Sequence, residues 1–484
     1  MKKVPYQSSK TFAAFVAINV LKFCSAGRRG FRPGLPAEKE EDLTMFYHSV
    51  ILKEDKCVGC TNCVKRCPTE AIRIRNGKAS IATERCIDCG ECIRICPHHA
   101  KRAQFTHLED LDKFKYRIAL PAPALYGQFN NLDDIDYVLT GLKKMGFDQV
   151  YEVSRAAELV SEATRKLMYN GETGAALPRP VISSACPAVV RLIRVRFPDL
   201  CEHVLPLKSP METAALMAKE EAMEKTGLRE KDVGCFFITP CPAKVTDIKM
   251  PLGMEKSNVD GAIAISEVFP TLSHTMDRLE SVEPIANSGI IGVGWSTSGG
   301  ESAALLNEKY LAADGIENVI RVLEEVEDER IGDLDFIELN ACAGGCVGGV
   351  LCVENPYVAK ARIQRLRKYL PVSQNHLAGG PVPAKMAWEE ELEFSNVMTL
   401  SSNLSEAMRM MVEIEGLEEE LPGLDCGACG APTCRAFAED VVKGVCKKTD
   451  CVFIYRKQMQ KVASTLSELE HGLGWHPGGE KRKS

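Results

Sequence analysis

The chain contains no apolar run of the roughly 18 residues that a membrane-spanning helix needs. It has no basic excess: 60 Lys and Arg stand against 66 Asp and Glu, a formal charge of −6. A nucleic-acid binder would carry a positive surplus, so neither membrane nor nucleic acid is expected as a partner. No kinase, phosphatase or regulatory motif is present. The polar bias of a disordered chain is missing too, since 45% of the residues are hydrophobic and 26% charged. The 484 residues suit two to four domains with substantial cores.

Cysteine is in excess. There are 21, an odd number, grouped in tight clusters along a large chain. That pattern reads as metal ligation in a reducing compartment, and a cytoplasmic location, rather than as a disulfide framework. Residues 1–44 carry little information. Lys2, Lys3 and Lys10 precede a half-apolar stretch, 11–24, in the outline of a secretory signal, but Asn19 and Lys22 interrupt it and Arg28-Arg29 follow. The segment is read as a loose, disordered extension, and Met45 as a candidate start of translation.

An internal repeat follows. Cys57, Cys60, Cys63 and Cys67 precede Pro68, and Cys86, Cys89, Cys92 and Cys96 precede Pro97. Both blocks read C-x2-C-x2-C-x3-C-P, the run of two-cluster bacterial ferredoxins, in which the fourth cysteine ligates the other cluster. Cys57, Cys60, Cys63 and Cys96 are assigned to one [4Fe-4S] cluster; Cys86, Cys89, Cys92 and Cys67 to a second. Zinc is the weaker alternative, because its sites usually combine two separated C-x2-C pairs. This module, residues 45–108, carries electrons and performs no bond chemistry.

From about residue 109 short apolar strands alternate with helical patterns. Strands are expected at 117–120, 149–153, 180–182, 235–238 and 335–339, and helices at 133–145, 211–225 and 300–312. This is an α/β region with buried, largely parallel sheets. Three strands run straight into cysteine: 180–182 towards Cys186, 235–238 towards Cys241, and 335–339 towards Cys342 and Cys346. Ligand sites of open α/β sheets lie at the carboxyl ends of strands. Four thiolates arriving there suit a third cubane better than four ordinary core cysteines.

These segments resemble the active-site motifs of the iron-only, or [FeFe], hydrogenases. The matching stretches are Ser183-Ser184-Ala185-Cys186-Pro187-Ala188, Thr239-Pro240-Cys241-Pro242-Ala243-Lys244, and Glu338-Leu339-Asn340-Ala341-Cys342-Ala343-Gly344-Gly345-Cys346. The similarity runs from about 45 to 370. The resemblance implies that Cys186, Cys241, Cys342 and Cys346 hold a [4Fe-4S] cubane. It also implies that Cys346 bridges to a two-iron centre carrying carbon monoxide, cyanide and a dithiolate. Ala122-Pro123-Ala124 matches the stretch against one cyanide, Lys244 the lysine that hydrogen-bonds the other, and Ser209 a serine of the same surroundings. Glu158 aligns with a proton-relay glutamate.

The departures are specific. Catalytic members place a proton-relaying cysteine directly before the first ligand, where this chain has Ala185. Alanine offers no donor or acceptor from its side chain. Thr239 and Asn340 stand where methionines are usual, and Ser161 where a second relay glutamate is expected.

The C-terminal part adds Cys426, Cys429 and Cys434, followed by Cys446 and Cys451. It resembles a small four-cysteine [4Fe-4S] domain of anaerobic redox proteins, whose spacing favours Cys451 as fourth ligand; zinc is the alternative. Cys24, Cys201, Cys235, Cys352 and Cys446 are read as ordinary thiols. Residues 371–398 read as a Pro- and Gly-containing linker. The apolar stripe Tyr455, Met459, Val462, Leu466 and Leu469 is read as core packing, with a homodimer seam as the alternative.

The resulting organisation is an extension (1–44), an α+β bacterial-ferredoxin-like module (45–108), an α/β hydrogenase active-site domain with parallel-rich sheets (109–370), and the linker (371–398). A small, mostly helical [4Fe-4S] domain (399–455) and a helix with a disordered tail (456–484) complete it. This order resembles the sensory branch of the family. Three functional readings follow: an H2 or redox sensor with low turnover, a catalytic ferredoxin-linked hydrogenase, and a non-enzymatic iron–sulfur carrier or assembly protein. The implied partners are H2, protons, a ferredoxin or other redox carrier, and a signalling protein.

Overall fold

A computed structural model describes residues 47–169 and 177–472, except for the side chains of 470–472. The expected extension, Met45, Cys24 and the C-terminal tail lie outside them.

The first module has four short strands: β1 (Val50–Leu52), β2 (Ile72–Arg75), β3 (Lys78–Ile81) and β4 (Lys101–Ala103). β1 pairs antiparallel with β4, and β2 with β3. Asn76-Gly77 closes the β2–β3 hairpin with both residues at positive φ, the backbone that a tight two-residue turn demands. Two four-residue helices, Asn62–Lys65 and Glu91–Arg94, carry Cys63 and Cys92.

Seven further strands follow: β5 (Tyr116–Pro121), β6 (Gln149–Val150), β7 (Val181–Ile182), β8 (Val233–Thr239), β9 (Gly261–Ala264), β10 (Tyr310–Asp314) and β11 (Phe336–Asn340). They form two wholly parallel sheets, in the orders β6-β5-β8-β9 and β10-β11-β7. β8 is buried at all seven positions, as a parallel strand covered on both faces must be. The expected strands are present with shifted ends, while β9 and β10 were not anticipated. The helix expected over 300–312 runs only Gly300–Ala304. Leu306 takes a left-handed φ of 56°, and the chain turns into β10, which pairs residue for residue with β11.

Residues 371–398 are not a loose connection. Pro371 O accepts from Ile290 N at 2.7 Å, Lys208 N donates to Met386 O at 2.8 Å, and Ser395 N donates to Arg194 O at 2.8 Å. Met386 is buried among Leu205, Leu207 and Phe336. The glycines and prolines suggest a linker, but the segment is a strap laid along the α/β domain.

The C-terminal domain contains helices Leu404–Glu420, Cys434–Val442 and Val452–Gly472. Ile414, Leu421, Phe437 and Ile454 share its small core. The stripe Tyr455, Met459, Val462, Leu466 and Leu469 is exposed by 50–57%. This corrects the core reading: the last helix projects beyond the side chains that could cover it.

Candidate metal centre

β7, β8 and β11 deliver Cys186, Cys241 and Cys342 to one region, and Cys346 follows on a one-turn helix, Cys346–Gly348. Cys186 and Cys241 each cap a helix whose first residue is proline, Pro187–Arg196 and Pro242–Lys249. Proline suits that position because its missing N–H would be unpaired there anyway. The thiols lie within electrostatic reach of one another. Burial and then the neighbouring Cys186 push Cys241 up to about 11. Burial, Cys241 and Cys186 push both Cys342 and Cys346 upwards. Thiols held high in this way, as Cys241, Cys342 and Cys346 are, become thiolates readily only around cations, so this donor set fits a metal cluster. Gly345 permits the turn into Cys346: its φ is 91°, and a Cβ would stand 2.5 Å from Ser298 N.

The surroundings fit anionic groups. Lys244 has a side chain only 11% exposed, and its one ion pair among the described residues, with Asp247 Oδ2, spans 3.5 Å. It lowers the thiol pKa of both Cys241 and Cys346, against the larger effect of burial. Ser209 is buried, and its Oγ has no hydrogen-bond partner among the described residues. An ammonium held by one long contact and an orphaned buried hydroxyl are donors for an anion. Ala122 and Pro123 follow β5 and are both buried.

Ala185 presents only its backbone N–H, which donates to Ser183 Oγ at 3.1 Å. Ser183 Oγ in turn lies 2.7 Å from Glu301 Oε2. Glu301 is buried near a second buried carboxylate, Glu338. Desolvation and that like charge push Glu301 up to about 8. Burial raises Glu338 too, but it accepts from Gly299 N, Ser302 N and Asn340 Nδ2 at 2.8–2.9 Å, and these donors favour its charged form over that of Glu301. Sequence reasoning missed this pair. The available signal was a glutamate between Ile337 and Leu339 in the middle of β11.

Glu158, aligned with a relay glutamate, is buried and holds a dense set of hydrogen bonds. Its Oε2 accepts from Ser373 Oγ, Gln374 N, Asn375 N and Asn375 Nδ2 at 2.8–3.0 Å, and its Oε1 from Gly289 N. Five donors occupy the carboxylate, which pins the strap to helix Val153–Tyr169. Ser161 Oγ donates to Ala157 O and accepts from Trp295 Nε1, each at 2.8 Å. Thr239 Oγ1 holds the turn at Cys241 by accepting from its N–H at 3.2 Å.

In the first module, Cys89 has Cys92, Cys67 and Cys86 around it, and Cys63 has Cys60 and Cys57. Lys101 is 2% exposed, its Nζ has no hydrogen-bond partner among the described residues, and it acts on Cys63, Cys92 and Cys96. A buried lone ammonium is costly unless negative charge faces it, and thiolate-ligated clusters would supply that charge. At the C-terminal end, Cys426, Cys429, Cys434 and Cys451 line one cleft. Cys352 is not an ordinary distant thiol: its Sγ is 3.7 Å from Cys346 O, and burial, then Cys342 and Cys241, raise its pKa.

Comparison with known proteins finds iron–sulfur relatives. Residues 115–350 match the family model for the iron only hydrogenase large subunit, C-terminal domain; 49–97 match a 4Fe-4S dicluster domain; 421–453 match an Fe-S cluster domain. The chain is 24% identical over 424 residues to iron hydrogenase 1 of Clostridium pasteurianum, covering 72% of this chain and 73% of that protein. It is 25% identical over 166 residues to the cytosolic Fe-S cluster assembly factor NAR1 of Scheffersomyces stipitis, 33% of this chain and 30% of that protein. A solved [FeFe]-hydrogenase structure, HydA(deltaEFG), aligns with 54% of this chain and 86% of its own, at 18% identity and a TM-score of 0.44.

Proposed function

Because the chain belongs to the iron-only hydrogenase family, we propose that it activates H2 reversibly at low turnover and serves as an H2 or redox sensor. A [4Fe-4S] cubane joined to a two-iron unit would supply H2 binding and heterolytic cleavage when bound. Cys186, Cys241, Cys342 and Cys346 would hold the cubane, with Cys346 as the bridge. Lys244 Nζ, Ser209 Oγ and the Ala122-Pro123 backbone would orient the anionic ligands of the two-iron unit. The eight cysteines of the first module and the four of the last would hold three more cubanes for electron transfer to a redox carrier or signalling protein.

The observation that carries the low-turnover reading is Ala185. A proton released at a buried site leaves through groups within hydrogen-bond reach. A thiol at position 185 would provide the first step; a methyl group provides none. Losing a positioned proton-transfer group typically costs about 10²- to 10⁴-fold in rate, whereas H2 binding does not require it. The test is Ala185→Cys at matched two-iron occupancy, with a gain of roughly 10²-fold or more in H2 evolution expected. No gain, or a parent chain already as fast as catalytic members, rejects the sensor reading in favour of a catalytic hydrogenase.

A second reading, an iron–sulfur carrier or assembly protein without the two-iron unit, draws support from the similarity to NAR1. Infrared spectroscopy separates the two, because bound carbon monoxide and cyanide give bands that cubanes lack.

A further inference from the structure

The C-terminal four-cysteine loop is built onto the ferredoxin-like module. Ile74 N, in β2, donates to Gly430 O at 2.8 Å, and Arg75 Nη1 donates to Cys429 O at 3.2 Å. Only glycine allows this approach, since a Cβ on Gly430 would stand 2.1 Å from Ile74 O. Asp440 Oδ2 takes Arg73 Nε at 2.7 Å and Arg75 Nη2 at 2.5 Å, with the three side chains 11–26% exposed. Arg85 pairs with Glu439 at 3.0 Å, and Lys65 Nζ donates to Pro432 O at 3.1 Å. Among the described residues, the hydrogen bonds and ion pairs joining 421–455 to another module all end on residues 65–85. Partly buried charge-assisted bonds combined with backbone bonds make a fixed joint.

The same module meets the metal-centre domain through its second cysteine loop. Thr246 Oγ1 donates to Asp88 Oδ2 at 2.7 Å, and Arg94 Nη2 donates to Gly348 O at 2.7 Å. Ile87 and Cys89 pack in one apolar cluster with Cys186 and Cys241. The ferredoxin-like module therefore touches both the C-terminal loop and the metal centre.

The surface around the C-terminal loop has its own character. Leu424, Val445, Val452 and Phe453 are 42–60% exposed, and each lies within two residues of Cys426, Cys446 or Cys451. Cys426 itself is exposed. Residues 424–461 contain seven Lys and Arg against four Asp and Glu, in a chain of net charge −6. Two of those four acids, Glu439 and Asp440, are turned to the ferredoxin-like module. Lys447, Arg456, Lys457 and Lys461 are exposed. An apolar patch with a cationic rim beside an accessible cluster ligand is complementary to an acidic protein.

We propose that the C-terminal cluster is the electron port of this protein: a small acidic one-electron carrier docks on its apolar patch and basic rim, and electrons pass between that cluster and the metal centre by way of the ferredoxin-like module. Each transfer oxidises the reduced carrier by one electron and reduces one cluster by one. Two transfers match the two electrons of one H2, while protons are exchanged only at the metal centre. The inference rests on the H2 reading for the final acceptor alone, and its test needs only the cubanes, so the two can fail separately.

The full chain is reconstituted anaerobically without the two-iron unit and reduced. Electron paramagnetic resonance is expected to show magnetic coupling between the C-terminal cluster and those of the ferredoxin-like module. Cys429→Ser should lower iron by about 4 per chain and remove that coupling; unchanged signals from the remaining clusters would overturn the series arrangement. In stopped flow, Lys447→Glu combined with Arg456→Glu and Lys457→Glu should slow reduction by a reduced acidic bacterial ferredoxin about 10-fold or more at low ionic strength. Reduction by the small dye methyl viologen should be unchanged. An undiminished ferredoxin rate would place the port elsewhere, such as the exposed Cys60, and overturn the proposal.

Discussion

Replacing Glu301 with Gln tests the buried acid network beside Ala185. Desolvation and then Glu338 raise Glu301 to about 8, against an ordinary 4.5. Below pH 4.5 both the folded and unfolded chains keep this proton, and its contribution does not change with pH. Between 4.5 and about 8 the folded chain keeps it while the unfolded chain releases it, so stability falls as pH rises; above about 8 the contribution is gone. The gap corresponds to roughly 5 kcal/mol at most, less the part carried by Glu338. Glutamine is always neutral and keeps an amide within reach of Ser183 Oγ, so the variant should lose this pH dependence. Infrared titration of the cubane-loaded chain is the direct assay. The parent should show a buried carboxylic C=O band that disappears with a midpoint near 8, and Glu301→Gln should lack it. A band titrating in the ordinary carboxylate range, or one that persists in the variant, would refute the reasoning.

Anaerobic reconstitution should load about 16 irons per chain, from four cubanes; saturation near 12 would remove one cluster assignment. Deleting residues 1–44 should leave iron content and solubility intact, and loss of iron-loaded protein would contradict the placement of the first module after Met45. Glu158→Ala should leave four backbone and side-chain donors of the strap and Gly289 N without their acceptor, costing about 3 kcal/mol. Limited proteolysis within 371–376 should then accelerate, with the cluster content of the first module unchanged.

The cysteine sites were legible because their information is local. Spacing within a loop fixes which thiols can wrap a cluster, and a strand running into cysteine fixes where the thiol emerges. The structure accordingly gathers Cys186, Cys241, Cys342 and Cys346, and lines one cleft with Cys426, Cys429, Cys434 and Cys451. What escaped the sequence depends on distant pairings. Tyr310–Asp314 follows a helical pattern and becomes a strand only because β11 offers it an edge. Glu338 gains its role from Gly299 and Ser302, 39 and 36 residues away in sequence. The anchoring of the strap by Glu158 was not legible either, because Ser373, Gln374 and Asn375 reach it across more than 200 residues. Residues 371–398 have the composition of a linker, yet composition does not reveal that their carbonyls find partners on the α/β domain.

The most direct test of the central claim is infrared spectroscopy of the full chain after loading by maturation proteins, with cubane content measured in the same sample. The account predicts bands from iron-bound carbon monoxide and cyanide that shift under H2 and are perturbed by Lys244→Ala. Full cubane content with no such bands would contradict the H2 reading and leave an iron–sulfur carrier in its place.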